Sequence, residues 1–306
     1  MTFSIRRIEP ADLAAWIELA NSCRYWKLDR QALLFEDTLR PTDEPFMRLG
    51  AYTVEGNIAG TAEAFVGEYG ERWTDRARGF ISVAPRFRRH GLGRRLLEEV
   101  EGFASRAGVT WLEGEGRESD LSAVSRLLEP RGYRELERYK TSRQEPARVD
   151  VRPLEPVRGR LRHQGIDTMS FKDVDSESAR DSLYRCAMAI HRDMPHEAHV
   201  EWEDPSRATY LDLMFSNPHG IRDAIFVARD KEEIVGLTYL VRRPGGDVEV
   251  GDTGVLASHR RRGIGRALKL MATRYSAEHG YRYVYTDNRS RQRRHARDQP
   301  RARVRP

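Results

Sequence analysis

Val83-Ala84-Pro85-Arg86-Phe87-Arg88-Arg89-His90-Gly91-Leu92-Gly93-Arg94 decides the reading of this chain, because it occurs twice. The second copy is Val255-Leu256-Ala257-Ser258-His259-Arg260-Arg261-Arg262-Gly263-Ile264-Gly265-Arg266, at a constant offset of 172 residues. Downstream, Gly108 matches Gly280, and Trp111-Leu112 matches Tyr283-Val284. Each copy reads as the end of an apolar strand, a basic loop with two glycines, and an amphipathic helix. Such a loop suits an anion. The first N–H groups of a helix have no intrahelical partner and carry partial positive charge. Glycines let a phosphate approach the backbone. Arg88, Arg89 and Arg94, or Arg260, Arg261 and Arg266, add charge-assisted bonds to phosphate oxygens. A loop with glycines for turning and arginines for solubility is the plain alternative, and a matched second copy argues against it.

The pattern Arg-x-x-Gly-x-Gly after a Val-ending strand resembles the acetyl-CoA pyrophosphate loop of the GCN5-related N-acetyltransferase (GNAT) superfamily. Two copies resemble its tandem members, the group that includes mycothiol-synthase-like proteins. The likeness is strongest over residues 76–116 and 247–288. It implies an α+β protein of two GNAT domains, each a mixed, mostly antiparallel sheet flanked by helices. The co-substrate would be acetyl-CoA, and the reaction transfer of an acetyl group to a primary amine of a small molecule or peptide. The resemblance also implies that the strand before each loop offers backbone groups to the pantetheine arm: Ile81, Ser82 and Val83 in the first lobe, and Thr253, Gly254 and Val255 in the second. With Arg88, Arg89, Gly91, Gly93, Arg94, Arg260, Arg261, Gly263, Gly265, Arg266 and Asn288, these form the expected cofactor set.

A chain of 306 residues suggests two domains. The start, Met1-Thr2-Phe3-Ser4-Ile5-Arg6-Arg7, lacks the apolar run of a signal peptide, and no stretch reaches the length of a membrane span. A cytoplasmic protein with two free thiols, Cys23 and Cys186, is the expectation. The net charge of +6 is misleading: residues 289–306 hold eight Arg and one Asp, or +7, and subtracting these leaves −1 on the rest.

The first lobe (1–144) reads as a strand over Phe3–Glu9, helices from Pro10 to Asn21 and Asp29 to Leu39, and paired strands Phe46–Val54 and Ile58–Tyr69. Strand Arg78–Val83 then delivers the first loop. A helix ending at Gly108, strand Val109–Glu113, helix Ser119–Leu128 and a closing hairpin over Gly132–Ser142 complete it. The Pro-rich, charged stretch 145–159 reads as a linker. The second lobe (160–288) repeats the order, with a helix over Pro205–Phe215 capped from Asp204.

After Thr286-Asp287-Asn288 all apolar periodicity is lost. Codons exist for residues 290–306 which, read one frame over, spell Asp-Asn-Ala-Ala-Met-Leu-Ala-Ile-Asn-Arg-Ala-Leu-Gly-Phe-Val, the segment the resemblance implies. A one-base shift near codon 290 is therefore expected, leaving a disordered tail over 289–306. The second lobe would lose its last helix and both closing strands, and so expose core and an unpaired edge. A nucleic-acid arm is the alternative reading of the tail's eight arginines.

Acyl transfer needs a base for the amine. Glu249 and Asp252 stand on or near the strand before the second loop, where the family often keeps a carboxylate. The matching strand of the first lobe, Arg78–Ser82, has none. As the acid the resemblance offers Tyr139, with Tyr133 read as packing. His191, His196 and His199 lack a second pair or a Cys, so no metal is expected. An acyl-CoA-binding protein without turnover is the non-enzymatic alternative. The closer fit of the second lobe to the resemblance makes it the one expected to be catalytic.

Overall fold

The computed structural model describes residues 1–24, 27–67, 72–73, 75–194 and 202–289. The chain divides at Leu136/Glu137. In the first lobe, β1 (Ser4–Arg7) leads into α1 (Leu13–Cys23) and α2 (Arg30–Leu39). Trp16 is fully buried and its indole donates to the Leu49 carbonyl (2.9 Å). Asp29 caps α2 by accepting from the Gln31 and Ala32 amides. Strands β2 (Phe46–Tyr52), β3 (Ile58–Phe65), the two-residue β4 (Arg72–Trp73) and β5 (Arg76–Val83) follow. Then come α3 (Leu92–Arg106), β6 (Trp111–Glu113) and α4 (Leu121–Leu128). The sheet order is β1-β2-β3-β5-β6, antiparallel except for the last pair. The spacing of Leu92, Leu96, Val100 and Phe103 puts one face of α3 into the core, and Gly108 ends the helix at φ 71°.

The second lobe begins earlier than the composition suggested. β7 (Tyr139–Gln144) is an edge strand of its sheet and not half of a hairpin closing the first lobe. The stretch expected as a linker forms α5 (Leu154–Arg162), whose Leu154, Val157 and Leu161 are buried in the second core. Apolar residues at i, i+3 and i+7 carried this signal, and the prolines obscured it. β8 (Ile166–Ser170), α6 (Glu177–Asp193), the two-residue β9 (Trp202–Glu203) and α7 (Arg207–Phe215) come next. β9 pairs with β4 and belongs with the first lobe. The cap of α7 is Ser206, which accepts from the Thr209 amide, rather than Asp204. β10 (Gly220–Asp230), β11 (Glu233–Arg242), β12 (Val248–Val255), α8 (Ile264–Glu278) and β13 (Val284–Arg289) complete the chain.

The second sheet runs β7-β13-β12-β11-β10-β8. Residues from Tyr139 to Gln144 pair antiparallel with Arg289 to Val284, so the edge expected to be bare is covered by a strand from upstream. α5 and α8 pack on one face, and α6 and α7 on the other. The 172-residue offset survives folding: β5 and β12, and α3 and α8, begin and end at matched residues. Residues 290–306, where the shifted frame was placed, lie outside the described residues, as do His196 and His199. Among the described residues no helix is long and apolar enough to cross a membrane.

Candidate active site

Both loops fold alike. Gly91 (φ 78°) and Gly263 (φ 98°) are the left-handed caps of α3 and α8, and neither helix start carries a side-chain cap. Arg89 (φ 68°) and Arg261 (φ 62°) are left-handed too. Left-handed residues of this kind are a general feature of backbone concavities that take anions. The first loop arginine is a latch. Nε of Arg88 donates to the Val83 carbonyl (3.1 Å), and Nε of Arg260 to the Val255 carbonyl (3.0 Å). The far end of Arg260 pairs with Asp193 at 2.8 Å; that of Arg88 meets the Cys23 sulfur at 3.7 Å. Arg94 is exposed and lies 3.6 Å from Glu98. Of the loop histidines, His259 bonds Asp230 (3.2 Å) and Ser258 (2.8 Å), and His90 bonds the Arg88 carbonyl (2.8 Å).

Beyond the second loop lies a fork. β12 and β13 pair only at Val248–Val284 and Glu249–Tyr285; then β12 continues beside β11 while β13 follows β7. A cleft of about 780 Å³ opens there, lined by Thr253, Gly254, Val255, Arg260, Gly265 and Arg266 of the expected cofactor set, with Lys269, Ile190, Asp193 and Gln144 among the others. Gly254 is there for close packing, since a Cβ would sit 2.1 Å from Ile190. The structure thus brings these six together with the left-handed Gly263 and Arg261. The side chain of Asn288 is outside the described residues.

A β-bulge decides what stands at the apex. Leu240 faces Val250 but Thr238 faces Thr253, so β12 holds one residue more than its partner. The bulge leaves Glu249, Asp252 and Gly254 on the α6 face, opposite Val241, Tyr239 and Leu237. Glu249 pairs with Arg243 at 2.5 Å. Burial raises its pKa above the ordinary carboxylate range, with Asp287 adding to the effect and Arg243 opposing it. Asp252 is exposed to solvent. Desolvation raises its pKa, while the His191 charge and the Tyr239 hydroxyl (3.5 Å) pull it down. Tyr239 escaped sequence reasoning, because only the register of β11 against the bulge reveals it. So did Tyr210 of α7, a buried tyrosine whose hydroxyl has no hydrogen-bond partner among the described residues and whose pKa desolvation pushes far up.

The first lobe has the same fork with other chemistry. β5 and β6 pair only from Arg76–Trp111 to Arg78–Glu113, and β5 runs on to Val83 without a bulge. Its apex residue is Arg78, which binds Glu113 at 2.9 Å. Glu63, facing Phe80 on β3, is buried and clamped by Arg24 (2.7 Å) and Arg48 (2.9 Å). It is a carboxylate absent from the expected site. Tyr139, taken as the acid of this lobe, lies on β7 in the other one, where it is half exposed and faces Arg289. Tyr133 is half-buried and donates to Glu101 (3.3 Å).

The model of the acetyltransferase (GNAT) family matches residues 11–133 and again 183–298. The chain belongs to the GNAT family. As a member it is an acyltransferase with two tandem GNAT domains. A mycothiol acetyltransferase of Geodermatophilus obscurus is 28% identical over 308 aligned residues, covering 93% of this chain and 89% of that one. A GCN5-related N-acetyltransferase from Sphaerobacter thermophilus shares the fold with TM-score 0.65 at 21% identity, over 96% of this chain and 89% of its own. A tandem GNAT protein from the clavulanic acid biosynthesis pathway has TM-score 0.67 at 14% identity, over 96% and 91%.

Proposed function

We propose that the second lobe transfers an acetyl group from acetyl-CoA to a primary amine, with Glu249 as the general base. The observation that carries this reading is the fork, which has an anion-binding helix start at its mouth and a carboxylate of raised proton affinity at its apex. The amides at the start of α8, with Arg261 and Arg266, would hold the pyrophosphate. The Thr253–Val255 backbone would pair with the pantetheine arm and direct the thioester toward the apex. Glu249 takes a proton from the amine nitrogen as that nitrogen bonds to the thioester carbonyl carbon. The C–S bond then breaks, and the departing sulfur takes a proton from solvent. A base works best with a pKa raised toward the operating pH, the direction in which Glu249 is displaced. Asp252 shares the face and the direction of shift; we assign it to the acceptor's ammonium, since it stands beyond the bulge beside Tyr239.

A panel of primary amines, assayed for thiol release and for the acetylated product, tests the reading. Stoichiometric thiol and amide with at least one amine is the expected result, and Glu249→Gln should lower kcat by roughly 10²–10⁴. Acetyl-CoA binding without product for any amine would leave a ligand-binding protein. Full activity of Glu249→Gln would move the base elsewhere, with Asp252→Asn the next variant.

A further inference from the structure

Glu249 does not stand alone at the apex. Arg243 leaves the β11–β12 turn, where its amide donates to the Asp247 carbonyl (2.8 Å), and its guanidinium lies over the Tyr285 ring, 4.4 Å from the centroid. That placement aims it at Glu249. On the other side, β13 carries Tyr285 directly opposite Glu249, and Asp287 two residues further on the same face. The negative charge of Asp287 raises the proton affinity of Glu249. A negative charge near a carboxyl group favours its protonated form. Arg143 of β7, opposite Tyr285, and the Asp252–His191 pair are further charged groups on this face.

We propose that Arg243 and Asp287 are positioning residues that act on Glu249 from opposite sides. Arg243 holds the carboxylate by its ion pair, and Asp287 presents a negative charge to the proton that Glu249 removes from the amine until it passes to solvent. The proposal rests on Glu249 being the base. In the first lobe the last pair of the fork is Arg78 with Glu113, a cation and an anion, in place of Glu249 with Tyr285.

The test is a carboxyl-carbon NMR titration of the full chain labelled at glutamate, with the Glu249 signal identified by its loss in Glu249→Gln. Asp287→Asn removes the negative neighbour, so the Glu249 midpoint should fall. Arg243→Gln removes the positive one, so it should rise. Asp287→Glu should restore the wild-type midpoint. Asp287 is exposed, and Asp287→Ser repeats the measurement with a different side chain. A merely structural role would not move the midpoint in opposite directions. Unchanged midpoints, or shifts of the same sign, would overturn the proposal. Turnover of Glu249→Gln is read separately: full activity would overturn the base assignment even where the titration shows the coupling. With both holding, the acid limb of kcat should follow the NMR midpoints, the ionisation of the amine being common to all variants.

Discussion

The two lobes share a loop and differ by one residue. From fork apex to strand end, β5 runs from Arg78 to Val83 in unbroken register, whereas β12 runs from Glu249 to Val255 with a bulge. That extra residue flips every side chain upstream of it to the other face. In the second lobe it brings Glu249 onto the α6 side, which alternation from Gly254 already gives to Asp252, next to Tyr239. Without it, the first lobe presents Arg78 and Phe80 to α1, and the position facing the bulge holds Glu63, neutralised by two arginines. One lobe therefore keeps carboxyl groups whose protons are held too tightly, and the other a carboxylate whose proton is held too weakly. The first arrangement suits proton transfer and the second suits stability.

The variants that break this comparison most sharply are the matched pair Glu249→Gln and Glu63→Gln. The first should lose most turnover with little change in melting. The second leaves Arg24 and Arg48 buried without their partner and should destabilise the first lobe by about 3–5 kcal/mol, read by denaturant melts. pH sharpens the same contrast. The pKa of Glu63 is depressed, against burial, by Arg24 and Arg48. Its contribution is thus present above the ordinary carboxylate range and lost as pH falls through the folded value. A thermal scan from neutral to acid pH should show the first lobe weakening, and Glu63→Gln should flatten that dependence.

Next in size is the thiol that replaces a carboxylate at the first loop. Asp193→Ala removes the partner of Arg260 and should weaken acetyl-CoA binding at the second loop about threefold to tenfold, on the order of 1 kcal/mol for a half-exposed charged bond. Cys23→Ala, at the matched place, should change binding by less than twofold. The smallest effect belongs to Tyr210→Phe. It deletes a buried hydroxyl without a partner and should be neutral or stabilising by up to about 1 kcal/mol in denaturant melts.

The legible part of this molecule was the part in which identity and spacing are the mechanism. Gly91, Gly263 and the arginines around them mark a loop that turns into a helix, and the folded loops carry left-handed backbone at those glycines. The strand order followed from alternation. Three things were hidden. The bulge in β12 is a matter of register; Gly251, which lies in it, is a general sign of a bulge but does not say on which face its neighbours fall, so Glu249 and Asp252 could be suspected but not placed. Strand β7 belongs to the second sheet through long-range pairing with β13, and Tyr139 went with it. Glu63 lies on a strand that reads as apolar; its importance comes from Arg24 and Arg48, which reach it from 39 and 15 residues away.

The most direct test of the division of labour is acetyl transfer by Gly263→Glu beside Gly91→Glu. Each substitution forces a side chain into left-handed backbone and sets a carboxylate where a phosphate would bind, a change worth roughly a hundredfold in binding. Gly263→Glu should lose transfer while Gly91→Glu keeps it. Loss in Gly91→Glu with retention in Gly263→Glu would put the chemistry in the first lobe instead of the second.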